Sequence, residues 1–107
     1  MLVRSMVPLL QMALSVSPVV LLKGARQVGK STLAMQYSDE YRVMDDVSVR
    51  LNAKAAPQLF IDMLPKPVCI DEIQKAPELL EAIKLYVDRQ RRNGDFLITG
   101  SANLLDM

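Results

Sequence analysis

Histidine is absent from this 107-residue chain, and cysteine occurs once, at Cys69. Neither an internal disulfide nor a zinc site built within the chain is expected. A lone thiol suits a reducing compartment, so the expected location is cytoplasmic. Charge of one sign is also lacking: 13 basic and 12 acidic residues leave a net charge of +1. That balance gives no global electrostatic pull toward nucleic acid or an anionic membrane, and neither is expected as a partner. No apolar run approaches the length needed to span a bilayer, and no internal repeat or low-complexity linker is visible. The stretch from Met1 to Ser15 has one positive charge, and its apolar run is interrupted by Pro8 and Gln11. It reads as an amphipathic helix beside the core rather than as a secretory signal. Half of the residues are hydrophobic, enough for one small domain with a single core.

The most informative segment is Gly24-Ala25-Arg26-Gln27-Val28-Gly29-Lys30-Ser31, a complete G-x-x-x-x-G-K-[ST] phosphate-binding loop. The apolar run Val19-Val20-Leu21-Leu22 precedes it, and the helix-like stretch from Thr32 to Gln36 follows. Strand, loop and helix in that order form the context the motif requires. Glycines let the backbone curl so that successive N–H groups face phosphate oxygens, and the following helix adds the positive end of its dipole. Lys30 would reach the β- and γ-phosphates, and the Ser31 hydroxyl would ligate Mg²⁺. Gly24 through Thr32 are therefore the candidate nucleotide-binding residues, with Lys30 also catalytic. From average composition such a pattern arises by chance in roughly a few chains per thousand of this length, so a merely structural glycine turn is set aside.

Short apolar runs alternate with helical stretches along the rest of the chain. Strands are expected at Pro18–Leu22, Tyr41–Asp45, Pro67–Ile70 and Phe96–Thr99, and helices at Lys30–Tyr37, Val47–Leu64 and Pro77–Arg92. Pro57 should break the second helix, because it removes a donor and restricts Ala56. The third has Leu79, Leu80, Ile83, Tyr86, Val87 and Gln90 on one stripe, acids near its start and arginines near its end, with Asn93-Gly94 as its stop. Such alternation implies an α/β fold: a parallel sheet with flanking helices in three layers, joined by right-handed crossovers. A sheet of this type usually has at least one more strand, so the fold is expected to be incomplete after the fourth. An unfinished sheet would expose an edge and apolar helix faces and favour self-association.

Val68-Cys69-Ile70 leads into Asp71-Glu72, an apolar strand ending in two acids, which is the arrangement of a Walker B motif. Asp71 would hold Mg²⁺, and Glu72 would orient and deprotonate the attacking water. A strand tip is the right place, since ligands of open α/β sheets bind beyond the carboxyl ends of the strands. A hydroxyl at Thr99 or Ser101 could contact the γ-phosphate or position water, with Gly100 letting the backbone turn Ser101 inward. Local bonding of those hydroxyls is the competing reading. Asp45 and Asp46 would either add to the outer shell of the metal or form a turn. Arg26 could touch phosphate or face solvent or a partner. Arg89, Arg91 and Arg92 are either a solvated helix end or a finger acting on a neighbouring molecule. Cys69 reads as a buried, inert small hydrophobe.

Together the strings Leu21 to Leu33, Met44-Asp45-Asp46, Cys69-Ile70-Asp71-Glu72-Ile73-Gln74 with Pro77-Glu78-Leu79-Leu80, and Phe96 to Ser101 resemble a family of prokaryotic AAA-type ATPases that carry a further C-terminal domain. The resemblance covers nearly the whole chain; Lys23 stands where Thr or Tyr is common. It implies an AAA-like P-loop ATPase core over residues 1–107, with Lys30 and Ser31 at phosphate and Mg²⁺, Asp71 at the metal, Glu72 as base and a sensor in Thr99-Gly100-Ser101. Members of the family continue into a fifth strand, helical structure and the C-terminal domain, where a protein partner would bind. The implied function is Mg²⁺-dependent hydrolysis of the β–γ phosphoanhydride of ATP. ATP rather than GTP rests on the resemblance; the chain also has no Asn-Lys-x-Asp guanine-reading segment. The alternatives are a nucleotide-dependent switch without turnover and, against the Asp71-Glu72 pair, a small-molecule kinase.

Overall fold

A computed structural model describes residues 12–23 and 40–100 of the chain. The phosphate loop, the helix expected at Lys30–Tyr37, Ser101 and most of the expected N-terminal helix lie outside the described residues. Residues 12–16 are helical.

Four strands form one parallel sheet: β1 (Val19–Lys23), β2 (Glu40–Val43), β3 (Val68–Asp71) and β4 (Phe96–Gly100). Between β2 and β3 lie α1 (Val47–Ala55) and α2 (Pro57–Met63). A 3₁₀ turn (Ile73–Lys75) and α3 (Glu78–Gln90) connect β3 to β4. The strand order is β1-β4-β3-β2, so the last strand in sequence is inserted between the first and the third. The α/β class and the parallel sheet flanked by helices agree with the expectation from sequence.

The alternation of side chains along each strand divides the sheet into two faces. Val68, Ile70, Phe96 and Ile98 join Ala53, Ile61, Leu79, Ile83 and Tyr86 in one core, with Val19 and Leu21 packed against it. Cys69, Asp71, Leu97 and Thr99 alternate with these residues and point to the opposite face, where they too are buried. Strands buried on both faces read as continuous apolar runs, which is why β3 and β4 are legible without any period-two pattern.

Local chemistry explains the helix boundaries. Pro57 divides the long helical stretch in two and occupies the first turn of α2, where a missing N–H costs nothing. At the far end of α2, the Lys66 ammonium donates to the carbonyls of Ile61 at 2.6 Å and Asp62 at 3.3 Å. It also sits 4.1 Å from the centre of the Tyr86 ring. Burial holds its pKa below the ordinary lysine value, against the opposing pull of Asp62 and Asp95. The buried stripe of α3 is Leu79, Ala82, Ile83 and Tyr86, and the Tyr86 ring meets Phe96 edge-on at 5.4 Å. Each large apolar side chain buried this way contributes about 1.5–3 kcal/mol.

One helix end differs from the expectation. Asn93-Gly94 does not terminate α3; Arg91 does, in a left-handed conformation (φ 55°), with its N–H on the Val87 carbonyl at 2.8 Å. Gly94 (φ 79°) serves the next turn instead, donating its N–H to Ser17 at 2.9 Å, and a Cβ there would lie 3.2 Å from the Leu14 carbonyl oxygen. Two arginines at the end of α3 are engaged locally. Arg89 forks onto Asp62 at 3.2 and 3.3 Å, while Arg92 reaches Asp95 at 3.4 Å and donates to the Tyr86 hydroxyl at 3.3 Å.

Candidate functional site

Because the strands are parallel, their carboxyl ends share one edge of the sheet. Lys23 at the end of β1 is in register with Gly100 at the end of β4, and the next residue in sequence, Gly24, opens the segment expected to be the phosphate loop. On the other side of β4, Ile70 is in register with Ile98, which brings Asp71 and Thr99 together at the tips of neighbouring strands. The insertion of β4 between β1 and β3 therefore sets Thr99 between the strand that feeds the loop and the strand that carries the acids.

Asp71 is 8% exposed and Thr99 1%. The Thr99 hydroxyl donates to Asp71 Oδ1, and its oxygen accepts the Glu72 backbone N–H at 3.1 Å. One hydroxyl thus satisfies a carboxylate and an amide at the end of β3. Asp71 Oδ2 accepts a second hydrogen bond, from the Tyr41 hydroxyl on β2. Among the described residues the partners of Asp71 are hydroxyls and not cations, so its position is fixed while its charge is left uncancelled.

Glu72 follows in a left-handed backbone conformation (φ 60°, ψ 47°). A residue with a Cβ costs about 1–3 kcal/mol in such a region, and persists there only when its surroundings determine it. Here the determinants are the Thr99 hydroxyl on its N–H and the 3₁₀ turn that begins at Ile73, whose side chain is fully buried. Gln74, inside that turn, donates its side-chain amide to Glu72 Oε1 at 2.6 Å. The Glu72 side chain is half-buried at the strand tip, next in sequence to Asp71 but aimed by different elements.

Tyr41 and Gln74 carried no functional expectation from sequence. A tyrosine in a short strand looks like packing, and only the adjacency of β2 and β3 shows what its hydroxyl meets. Of the two hydroxyl candidates, Thr99 lies among the described residues and Ser101 outside them.

Asp45 and Asp46, the other acidic pair at a strand end, are used differently. Asp46 caps α1, its Oδ1 accepting from the N–H of Ser48 at 2.9 Å and Val49 at 3.3 Å. Asp45 pairs with Lys75 of the 3₁₀ turn. The turn alternative is what the structure shows for Asp46. Cys69 is fully buried on the Asp71 face, and its thiol is pushed up to about 12 by burial and by the nearby Asp71 charge. It is protonated at neutral pH and suited to packing, as expected.

An oxygen donor at a strand tip suits Mg²⁺, which is commonly held by one or two carboxylates together with substrate phosphates and water. Among the described residues no group of three or more His, Cys, Asp or Glu could form an all-protein metal cage. Each Asp71 oxygen accepts one hydroxyl and keeps further lone-pair capacity, so the donor set fits a cation of this kind. A surface groove of about 530 Å³ lined by Arg42, Leu59, Phe60 and Met63 contains none of these residues. No described helix is long and apolar enough to cross a membrane.

Residues 16–107 match a family described as "AAA domain". The chain belongs to this AAA domain family. At the level of the family it is a nucleotide-binding, ATPase-like module. It is 37% identical over 97 residues to uncharacterised proteins of Mycobacterium bovis and Mycobacterium tuberculosis. The match covers 88% of this chain and 22% of each relative, so the chain spans about a fifth of the length of the curated relatives it matches. No solved structure matches the chain significantly.

Proposed function

We propose that this AAA domain is the ATP-binding core of a Mg²⁺-dependent ATPase that hydrolyses the β–γ phosphoanhydride bond. The observation that carries this reading is the meeting of Thr99, Asp71 and Glu72 at the sheet edge where β1 feeds the phosphate loop. Gly24 to Thr32 would cradle the triphosphate, with Lys30 on its β- and γ-oxygens. Ser31 and Asp71 would hold Mg²⁺, which when bound neutralises charge on the phosphates. Glu72 would align and deprotonate the attacking water, with Gln74 fixing one of its oxygens. Ser101 would add a hydroxyl beyond β4. Binding energy and charge stabilisation would thus come from the loop, and base chemistry from the tip of β3.

The same Gln74 contact favours a second reading, a nucleotide-dependent switch in which Glu72 is held without turnover. Phosphate release from Mg²⁺-ATP separates the two. Hydrolysis by the parent chain, lost in Glu72→Gln with ATP binding retained and lost together with binding in Lys30→Ala, is the expected result. Binding without turnover in the parent would favour the switch. Transfer of phosphate to a supplied acceptor in preference to water would favour a kinase. Self-association, or a protein partner bound through a C-terminal region of the kind the family resemblance implies, is proposed alongside ATP.

A further inference from the structure

Tyr41 lies two residues before Val43, and Val43 is in register with Asp71. Side chains two apart on a strand share a face, so Tyr41, Val43, Cys69 and Asp71 all point to the same side of the sheet. Tyr41 itself stands opposite Cys69, one register pair back from the edge, yet its hydroxyl reaches Asp71 Oδ2. A phenylalanine would fill the same space, and only the phenolic oxygen makes this contact.

We infer that Tyr41 is a positioning residue that aims the Asp71 carboxylate at the cation, deepening the nucleotide-site reading on which it rests. Asp71 stands on a strand with a neighbour on each side, and each neighbour sends one hydroxyl to it: Thr99 from β4 to Oδ1 and Tyr41 from β2 to Oδ2. Rotating the carboxylate breaks both bonds at once. With one lone pair of each oxygen engaged, the remaining lone pairs are presented in a fixed direction. The choice of donor matters. An ammonium or guanidinium would orient the carboxylate equally well but would compete with a bound cation for its charge, whereas a phenol orients without neutralising. Tyr41 acts through Asp71. It also ties the metal site to the β2–β3 pairing, which the Met44 N–H extends to the Asp71 carbonyl at 2.9 Å.

Hydrogen-bonding partners of a metal-ligating carboxylate typically contribute 10–100-fold to metal affinity. The test is a Mg²⁺ titration of the full chain saturated with a fluorescent, non-hydrolysable ATP analogue, in parent, Tyr41→Phe and Lys30→Ala. The expected result is a Mg²⁺ midpoint raised about tenfold or more in Tyr41→Phe, with analogue affinity in the absence of Mg²⁺ unchanged. A midpoint within about twofold of the parent overturns the role of Tyr41 alone, by that same scale. Loss of Mg²⁺-free affinity in Tyr41→Phe also overturns it, because the side chain then serves the fold and not the carboxylate. A parent that binds the analogue no better than Lys30→Ala, or shows no Mg²⁺ response, overturns the nucleotide-site reading and the role of Tyr41 with it.

Discussion

Two acidic pairs stand just beyond parallel strands of this sheet, Asp45-Asp46 after β2 and Asp71-Glu72 at the end of β3, and they are put to different uses. Asp46 closes the open N–H groups at the start of α1, and Asp45 meets the Lys75 ammonium on the surface. Asp71 is buried between two hydroxyls, and Glu72 stands in a left-handed conformation with its N–H on the Thr99 hydroxyl and its side chain accepting from the Gln74 amide. Two adjacent acids at a strand end are thus not in themselves a catalytic signal. What distinguishes the pairs is position in the sheet. β2 is followed directly by a helix that needs a cap, whereas β3 has strands on both sides that bring hydroxyls to its tip. A cation and a cap engage the first pair, whereas hydroxyls hold Asp71 of the second.

Substitution should separate the pairs most sharply in turnover. Glu72→Gln removes a general base and is expected to lower hydrolysis by about 10²–10⁴-fold. Asp46→Asn, which can still cap, should leave hydrolysis near the parent level. Stability gives the next contrast. Thr99→Val keeps the volume but deprives the Glu72 N–H and Asp71 Oδ1 of their partner, and should cost about 1–3 kcal/mol in chemical denaturation. The strained Glu72 turn would relax at the same time, so weaker Mg²⁺-dependent binding should accompany the lost stability. Asp46→Ala is the mildest change. Loss of the cap should cost about 1 kcal/mol while Mg²⁺-ATP binding is unaffected; impaired Mg²⁺ dependence in that variant would erase the distinction between the pairs.

Much of this arrangement is legible in the amino-acid sequence. Strands β1, β3 and β4 appear as apolar runs, Pro57 marks a helix boundary, and Asp71-Glu72 stands where strand and loop meet. The strand order was not legible, because alternation of strands and helices fixes parallel direction but not which strands adjoin. Tyr41 and Thr99 acquire their meaning only from that order, since each bonds a residue about thirty positions away through a neighbouring strand. The end of α3 was misplaced for a local reason: Gly94 is the natural left-handed residue by composition, yet Arg91 adopts that conformation and closes the helix three residues earlier. The role of Asp46 had a usable signal, an Asp directly before a helix start, which the neighbouring Asp45 made ambiguous.

The most direct measurement is the shift in thermal unfolding midpoint produced by Mg²⁺-ATP in the parent chain, Asp71→Asn and Asp45→Asn. A ligand that binds only the folded state raises the midpoint in proportion to its binding free energy, about 2.7 kcal/mol at a hundredfold excess over Kd. The predicted result is an upward shift in the parent and in Asp45→Asn, largely abolished in Asp71→Asn. Equal shifts in all three chains would contradict the assignment of the β3 tip to the nucleotide site.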